Sequence, residues 1–348
     1  MSDSHMSVAA HAHEVSARSD SAPASLPDEV YLEVTNRCNL RCRTCPQFYG
    51  MAERFHDLTW ERFLAITDQL PALRRAVLHG IGEPLLNPDL GRMIRHLKAR
   101  GAYVLFNSNG LLLRGRRAHE LVESGLDELR ISIDGGTPET YRAVRGVDGF
   151  QRILGNVRRF EALKRSLGVH APRLSLWVTG MKTTVGDLPA LVRVAADHDV
   201  REVYLQRLVY SERGLATEEQ ALYGRAADGE RASLAEALRL ADALGVTLRG
   251  SGELGPADLL DRPSPGDAPW RGCHRPWRLI YVTANGAVLP CCIAPFTGVP
   301  YEEIVLGDLG RQTVAELWDG DRYRSWRRAM LDGEPPSACA GCGVSWSL

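Results

Sequence analysis

Cys38, Cys42 and Cys45 stand within eight residues of one another in the stretch "VTNRCNLRCRTCP". Five more cysteines, Cys273, Cys291, Cys292, Cys339 and Cys342, lie toward the other end, and more than 220 residues between Cys45 and Cys273 contain none. A reducing compartment keeps thiols unpaired, and two groups at opposite ends of a chain are distributed as metal sites are. Three thiolates on one loop are more than a dithiol redox pair needs and one short of a closed zinc site. They suit an iron–sulfur cube with one iron left open to a ligand that is not protein.

The second group supplies four thiolates, Cys273, Cys291, Cys339 and Cys342, a complete set for a second 4Fe-4S cluster. Four cysteines with a terminal CxxC also describe a zinc knuckle. Three and four ligands leave Cys292 over. Neighbouring residues in a strand point to opposite faces, so Cys291 and Cys292 do not readily serve one cluster. Most free cysteines are small buried hydrophobes, and that is one reading of Cys292.

These residues need elements to position them. From residue 29 the sequence alternates β-like runs ("EVYLEVT", "RAVLHG", "YVLFNSN", "ELRISIDG", "RLSLWVTG", "REVYLQRLVY") with amphipathic helical stretches. Repeated β-then-α units predict an α/β fold with a parallel sheet, its site built from the loops at the strand C-terminal ends. Six such units are too few for a closed eight-stranded barrel, so a partial (β/α)6 barrel is expected over 28–210. Residues 1–27 read as a disordered start, and 211–272 as a helical bridge, helical over Thr217–Leu244 and then rich in Gly and Pro. Residues 273–348 read as a small hairpin-and-helix domain, with Asn285-Gly286 predicting a two-residue hairpin turn. Trp318, Trp326 and Leu331 have helical spacing and are expected to pack that domain.

The CxxxCxxC loop after the first strand of such a barrel resembles the radical S-adenosylmethionine (SAM) superfamily. Other landmarks of that family sit at successive strand ends: "GIGEP" (Gly80–Pro84), "NSNG" (Asn107–Gly110), and "SIDG" (Ser132–Gly135) followed by Arg145. The resemblance implies that Cys38, Cys42 and Cys45 hold a 4Fe-4S cluster whose open iron takes SAM. It further implies that Gly80, Gly82, Glu83, Asn109, Ser132, Asp134 and Arg145 surround that cofactor. Ile81 departs from the family's glycine pair, and Thr44 stands where many members have an aromatic residue. The C-terminal form "CHRPW…NGAVLPCC…LGDL…ELWDG…CAGC" resembles the SPASM/twitch extension, and with six residues after Cys342 it is expected to supply one auxiliary cluster.

The family's chemistry is reductive cleavage of SAM to a 5′-deoxyadenosyl radical, which abstracts hydrogen from a substrate. An all-cysteine auxiliary cluster implies electron transfer rather than substrate ligation. The first expectation is therefore a small-molecule dehydrogenase oxidising an alcohol carbon of a sugar or aminocyclitol. A second is a redox-neutral epimerase in which Cys292 returns a hydrogen atom, as thiols do in some sugar epimerases of this family. A third is a ribosomal-peptide maturase, for which the ~30 residues before the barrel are short against ordinary domain sizes. A non-enzymatic iron–sulfur electron-transfer protein is the alternative of another class. An electron donor such as flavodoxin or ferredoxin is implied as partner.

Composition narrows the partners. The net charge is −1 and the arginines are scattered, which argues against nucleic acid. No apolar run has transmembrane length and the start has no signal-peptide core, so a cytoplasmic protein is expected.

Overall fold

The computed structural model describes residues 25–340 and 342, apart from 210, 252–254, 258–259 and 261–268. Most of the expected disordered start, and much of the Gly/Pro-rich connection, therefore lie outside the described residues. Ser25 is already tied down, because its carbonyl accepts the Trp318 indole N–H at 2.9 Å.

The strands are β1 (Glu29–Leu32), β2 (Arg75–Val77), β3 (Tyr103–Ser108), β4 (Glu128–Ser132), β5 (Arg173–Gly180), β6 (Glu202–Arg207), β7 (Thr247–Gly250), β8 (Leu279–Val282), β9 (Ala287–Leu289) and β10 (Gly307–Asp308). They form one sheet in the order β10-β9-β8-β1-β2-β3-β4-β5-β6-β7. All pairings from β8 through β1 to β7 are parallel. The two ends of the sheet do not pair, as the partial barrel requires.

Local chemistry accounts for the helices between the strands. Thr59 caps Trp60–Thr67 by accepting from Arg62 N, and Thr137 caps Pro138–Arg145 with Pro138 in the first turn. Gly146 ends the latter helix at φ 75°, a left-handed conformation that suits a residue without Cβ. The helix Leu90–Ala99 buries Met93, Ile94 and Leu97 on the face toward the sheet.

The expected bridge contains more than a helix. The helix covers Asp228–Leu244, preceded by a short 3-10 turn at Glu218–Gln220, and β7 then adds a seventh parallel strand beside β6. The hairpin turn is also longer than expected. Thr283 N donates to Ala287 O, Gly286 N donates to Thr283 O, and Gly286 alone has positive φ, 98°. This is a three-residue loop with a glycine bulge, where the Asn-Gly pair pointed to a two-residue turn. Trp318 and Trp326 are buried as expected, but Leu331 is exposed. Arg327, in the same helix (Asp321–Asp332) as Trp326 and Leu331, is fully buried instead: it donates to the carbonyls of Pro276 and Trp318 and lies over the Trp318 and Tyr323 rings.

Candidate functional site

The loops at the C-terminal ends of β1 to β6 enclose a cavity of about 230 Å³. Its wall includes Cys38, Cys42 and Cys45, the glycine loop Gly80–Glu83, Asn109, Ser132, Asp134 and Arg145. Every barrel residue expected at the cofactor is thus gathered in one place.

Strand alternation explains what lies deeper. His79, Asn107, Ser132, Thr179 and Gln206 reach the cavity from successive strand ends. Two residues earlier on β4, β5 and β6, Arg130, Trp177 and Tyr204 occupy the same face and form the layer beneath. The Trp177 and Tyr204 rings stack at 3.9 Å, and the Arg130 guanidinium lies 4.3 Å from the Trp177 ring centroid.

The cysteine loop is held both from within and from a neighbouring helix. Cys45 N donates to Cys42 O, and Arg43 N donates to Val144 O on the helix after β4. The glycine loop is pressed against the end of β1: a Cβ on Gly82 would lie 2.1 Å from Thr35 O, and one on Gly80 would lie 2.1 Å from a Glu33 oxygen. Close approach of backbone therefore requires Gly82, and close packing of the Glu33 side chain requires Gly80. Glu83 is buried and accepts from Leu85 N, Ser108 Oγ and Asn109 N, so it ties the glycine loop to the end of β3. Burial pushes its carboxyl pKa up against those bonds.

Asp134, held at φ 40°, accepts from Thr179 N at 2.6 Å and pairs with Arg145 at 2.7 Å. It thus joins the ends of β4 and β5 and orients the arginine. Arg145 also points a guanidinium nitrogen at Cys42 Sγ, 3.6 Å away, while its Nε is buried without a hydrogen-bond partner among the described residues. An orphaned cationic donor beside three thiols fits an anionic cofactor group. Asn109 Nδ2 bonds Asn39 in the cysteine loop at 2.8 Å.

Two residues left unassigned by the sequence belong to this cavity. Asn107 N donates to His79 Nδ1, which puts the ring hydrogen of a neutral His79 on Nε2. Burial, with Arg130 and Arg75 nearby, holds the His79 pKa down at about 3. Asn107 Oδ1 is buried and unpartnered among the described residues. Their signal was position: both fall at strand ends, His79 directly before "GIGEP" and Asn107 as the first residue of "NSNG".

The second cysteine group shares one wall of the fold. Cys273, Cys291, Cys339 and Cys342 line one small cavity with Trp270, Trp326 and Met330. Cys292 does not line it; it lines the first cavity. The adjacent thiols thus serve different sides.

The sequence carries two matches to known families. Residues 32–170 match the radical SAM superfamily, and residues 273–343 match SPASM, an iron–sulfur cluster-binding domain. The chain belongs to the radical SAM superfamily and carries a C-terminal SPASM domain. Its cofactors are S-adenosylmethionine and two 4Fe-4S clusters. The chain is 28% identical over 319 residues to a PqqA peptide cyclase of Streptomyces rochei, covering 90% of this chain and 81% of that one. It is 30% identical over 188 residues to a tungsten-containing aldehyde ferredoxin oxidoreductase cofactor-modifying protein of Pyrococcus furiosus, about half of each chain (52% and 51%). Among solved structures it resembles Streptococcus suis SuiB bound to S-adenosylmethionine, with TM-score 0.61 at 15% identity over 87% of this chain and 68% of that one. It also resembles BtrN in complex with AdoMet and 2-DOIA, with TM-score 0.50 at 17% identity over 93% and 98%. Among the described residues no helix is long and apolar enough to cross a membrane.

Proposed function

We propose that this radical SAM enzyme modifies a peptide, abstracting hydrogen from a peptide carbon held in the strand-end cavity. The observation that carries this reading is the likeness to a PqqA peptide cyclase along 90% of the chain. SuiB, solved with its precursor peptide SuiA, is a case of this fold receiving a peptide. The expected oxidation of a sugar or aminocyclitol alcohol has only the fold-level likeness to BtrN behind it, and ranks lower.

In this reading Cys38, Cys42 and Cys45 would hold the first cluster, and Gly80, Gly82, Ser132 and Arg145 would hold S-adenosylmethionine. Together these groups supply a 5′-deoxyadenosyl radical when bound. Cys273, Cys291, Cys339 and Cys342 would hold the auxiliary cluster. Asp134 positions Arg145, Glu83 fixes the two loops beside it, and His79 offers a neutral N–H donor to a substrate amide or hydroxyl.

One observation favours a second outcome for the substrate radical: Cys292 lines the same cavity as the first cysteine group. Its S–H bond can break to give a hydrogen atom to the carbon radical. The sulfur radical left behind then takes one electron from the external donor and one proton from solvent. Abstraction on one face and return on the other amounts to epimerisation.

Mass spectrometry of peptide and aminocyclitol candidates, incubated with reconstituted enzyme in D2O, tests both. Loss of two hydrogens from a peptide is the result expected for oxidation or cross-linking. Gain of one solvent deuterium, lost in Cys292→Ala, is expected for hydrogen return. Turnover of the aminocyclitol with every peptide untouched would overturn the peptide reading.

A further inference from the structure

A second cavity, of about 410 Å³, lies between the barrel and the C-terminal domain, and Ile81 of the glycine loop lines both cavities. Two carboxylates in its walls are wholly or partly buried. Glu33, just past β1, is 1% exposed, and Glu53, from the segment after the cysteine loop, is half-buried.

Both carboxylates are oriented by neutral donors. Glu33 accepts from Ile81 N at 2.7 Å, from Ala284 N at 3.2 Å and from the Tyr281 hydroxyl at 3.3 Å. Glu53 accepts from Thr283 Oγ1 at 2.8 Å, from Asn285 Nδ2 at 3.0 Å and from the Tyr301 hydroxyl. No lysine or arginine pairs with either among the described residues. The other charged residues lining it, Arg213 and Glu302, are both exposed and of opposite sign. The two carboxylates raise each other's energy, since Glu53 is one of the charges that push the Glu33 pKa up. A fixed, uncompensated carboxylate pair beside an open volume is complementary to a cation able to donate charge-assisted hydrogen bonds. The volume accommodates a group of several heavy atoms rather than a bare ion.

We propose that this cavity binds an ammonium or guanidinium group of the substrate, while the reacting carbon reaches past Ile81 toward the first cysteine group. The proposal rests on the strand-end cavity being the reaction site, and it names the substrate as basic. It also couples the two sites: Glu33 grips the amide of Ile81, so a cation that keeps Glu33 ionised strengthens the bond that positions the cofactor loop. By linkage, cation and S-adenosylmethionine then tighten each other's binding.

The test is calorimetric titration of the reconstituted holoprotein, with S-adenosylmethionine present, using two probes. These are acetyl-Gly-Lys-Gly-amide and the aminocyclitol 2-deoxystreptamine, each compared with its N-acetylated, uncharged form. At least one charged probe is expected to bind tenfold or more tightly than its acetylated form, with Glu53→Gln erasing the difference. The charged probe is also expected to lower the Kd for S-adenosylmethionine. A preference shown by the aminocyclitol alone upholds the cavity's role and counts against the peptide reading. Equal affinities for charged and acetylated forms of both probes overturn the cavity's role while leaving the peptide reading to its own mass-spectrometric test. That comparison needs no variant. Retention of the preference in Glu53→Gln would equally overturn it.

Discussion

Glu33 is a carboxyl on which two opposing demands meet. Burial raises its pKa from 4.5 to about 7, with the Ile81 and Ala284 amides working against that rise. Between those values the folded chain keeps a proton that the unfolded chain has released. The associated stability is therefore complete below pH 4.5 and is lost as pH rises through about 7, a swing of about 3 kcal/mol. His79, held neutral at about 3, acts in the opposite sense at lower pH. The comparison that isolates Glu33 is thus wild type against Glu33→Gln at each pH, where the His79 contribution cancels: the urea midpoint of wild type relative to the variant is expected to fall from pH 5 to pH 8. Cys292→Ala is expected to keep the iron content and 5′-deoxyadenosine release while losing solvent deuterium in the product. Loss of iron in that variant would show that Cys292 is a ligand after all. The cysteines were legible at this scale because their spacing along one loop is covalent and survives without knowledge of the fold. Glu33 and His79 were not, since nothing in "YLEVT" or "LHGIG" shows which strand neighbours will bury them.

Among the elements, the glycine loop is the most constrained. Gly82→Ala places a Cβ 2.1 Å from the Thr35 carbonyl, a contact with backbone that a rotamer change does not relieve. The loop must shift, at a cost of about 1–3 kcal/mol, and S-adenosylmethionine binding measured by equilibrium dialysis is expected to weaken by tenfold or more. Arg327→Met leaves the Pro276 and Trp318 carbonyls without their buried donor, for an expected loss of about 2–4 kcal/mol in chemical denaturation. The six barrel strands were readable because each carries an apolar run followed by a helical period. β7 was not, because "TLRG" is four residues long and only β6 makes it a strand. The hairpin turn was misjudged for a related reason: Asn-Gly occurs in both loop lengths, and the choice is made by the pairing of Thr283 with Ala287.

For the whole molecule, the two cysteine groups predict about eight irons per chain after anaerobic reconstitution. Cys339→Ser with Cys342→Ser is expected to leave about four, with the absorbance of the first cluster and S-adenosylmethionine binding retained. Four irons and one zinc in the wild type would instead establish a zinc knuckle at the C-terminal group. The order of the motifs was legible along the sequence, but the joining of the two halves was not. The strand that opens the C-terminal domain, β8, pairs in parallel with β1, Val30 opposite Ile280, so β1 is an interior strand of one continuous sheet. A protein cut before residue 279 would strip the flank of β1 down to bare amides and carbonyls, and light scattering is expected to show such a truncation clumping rather than persisting as a free-standing barrel.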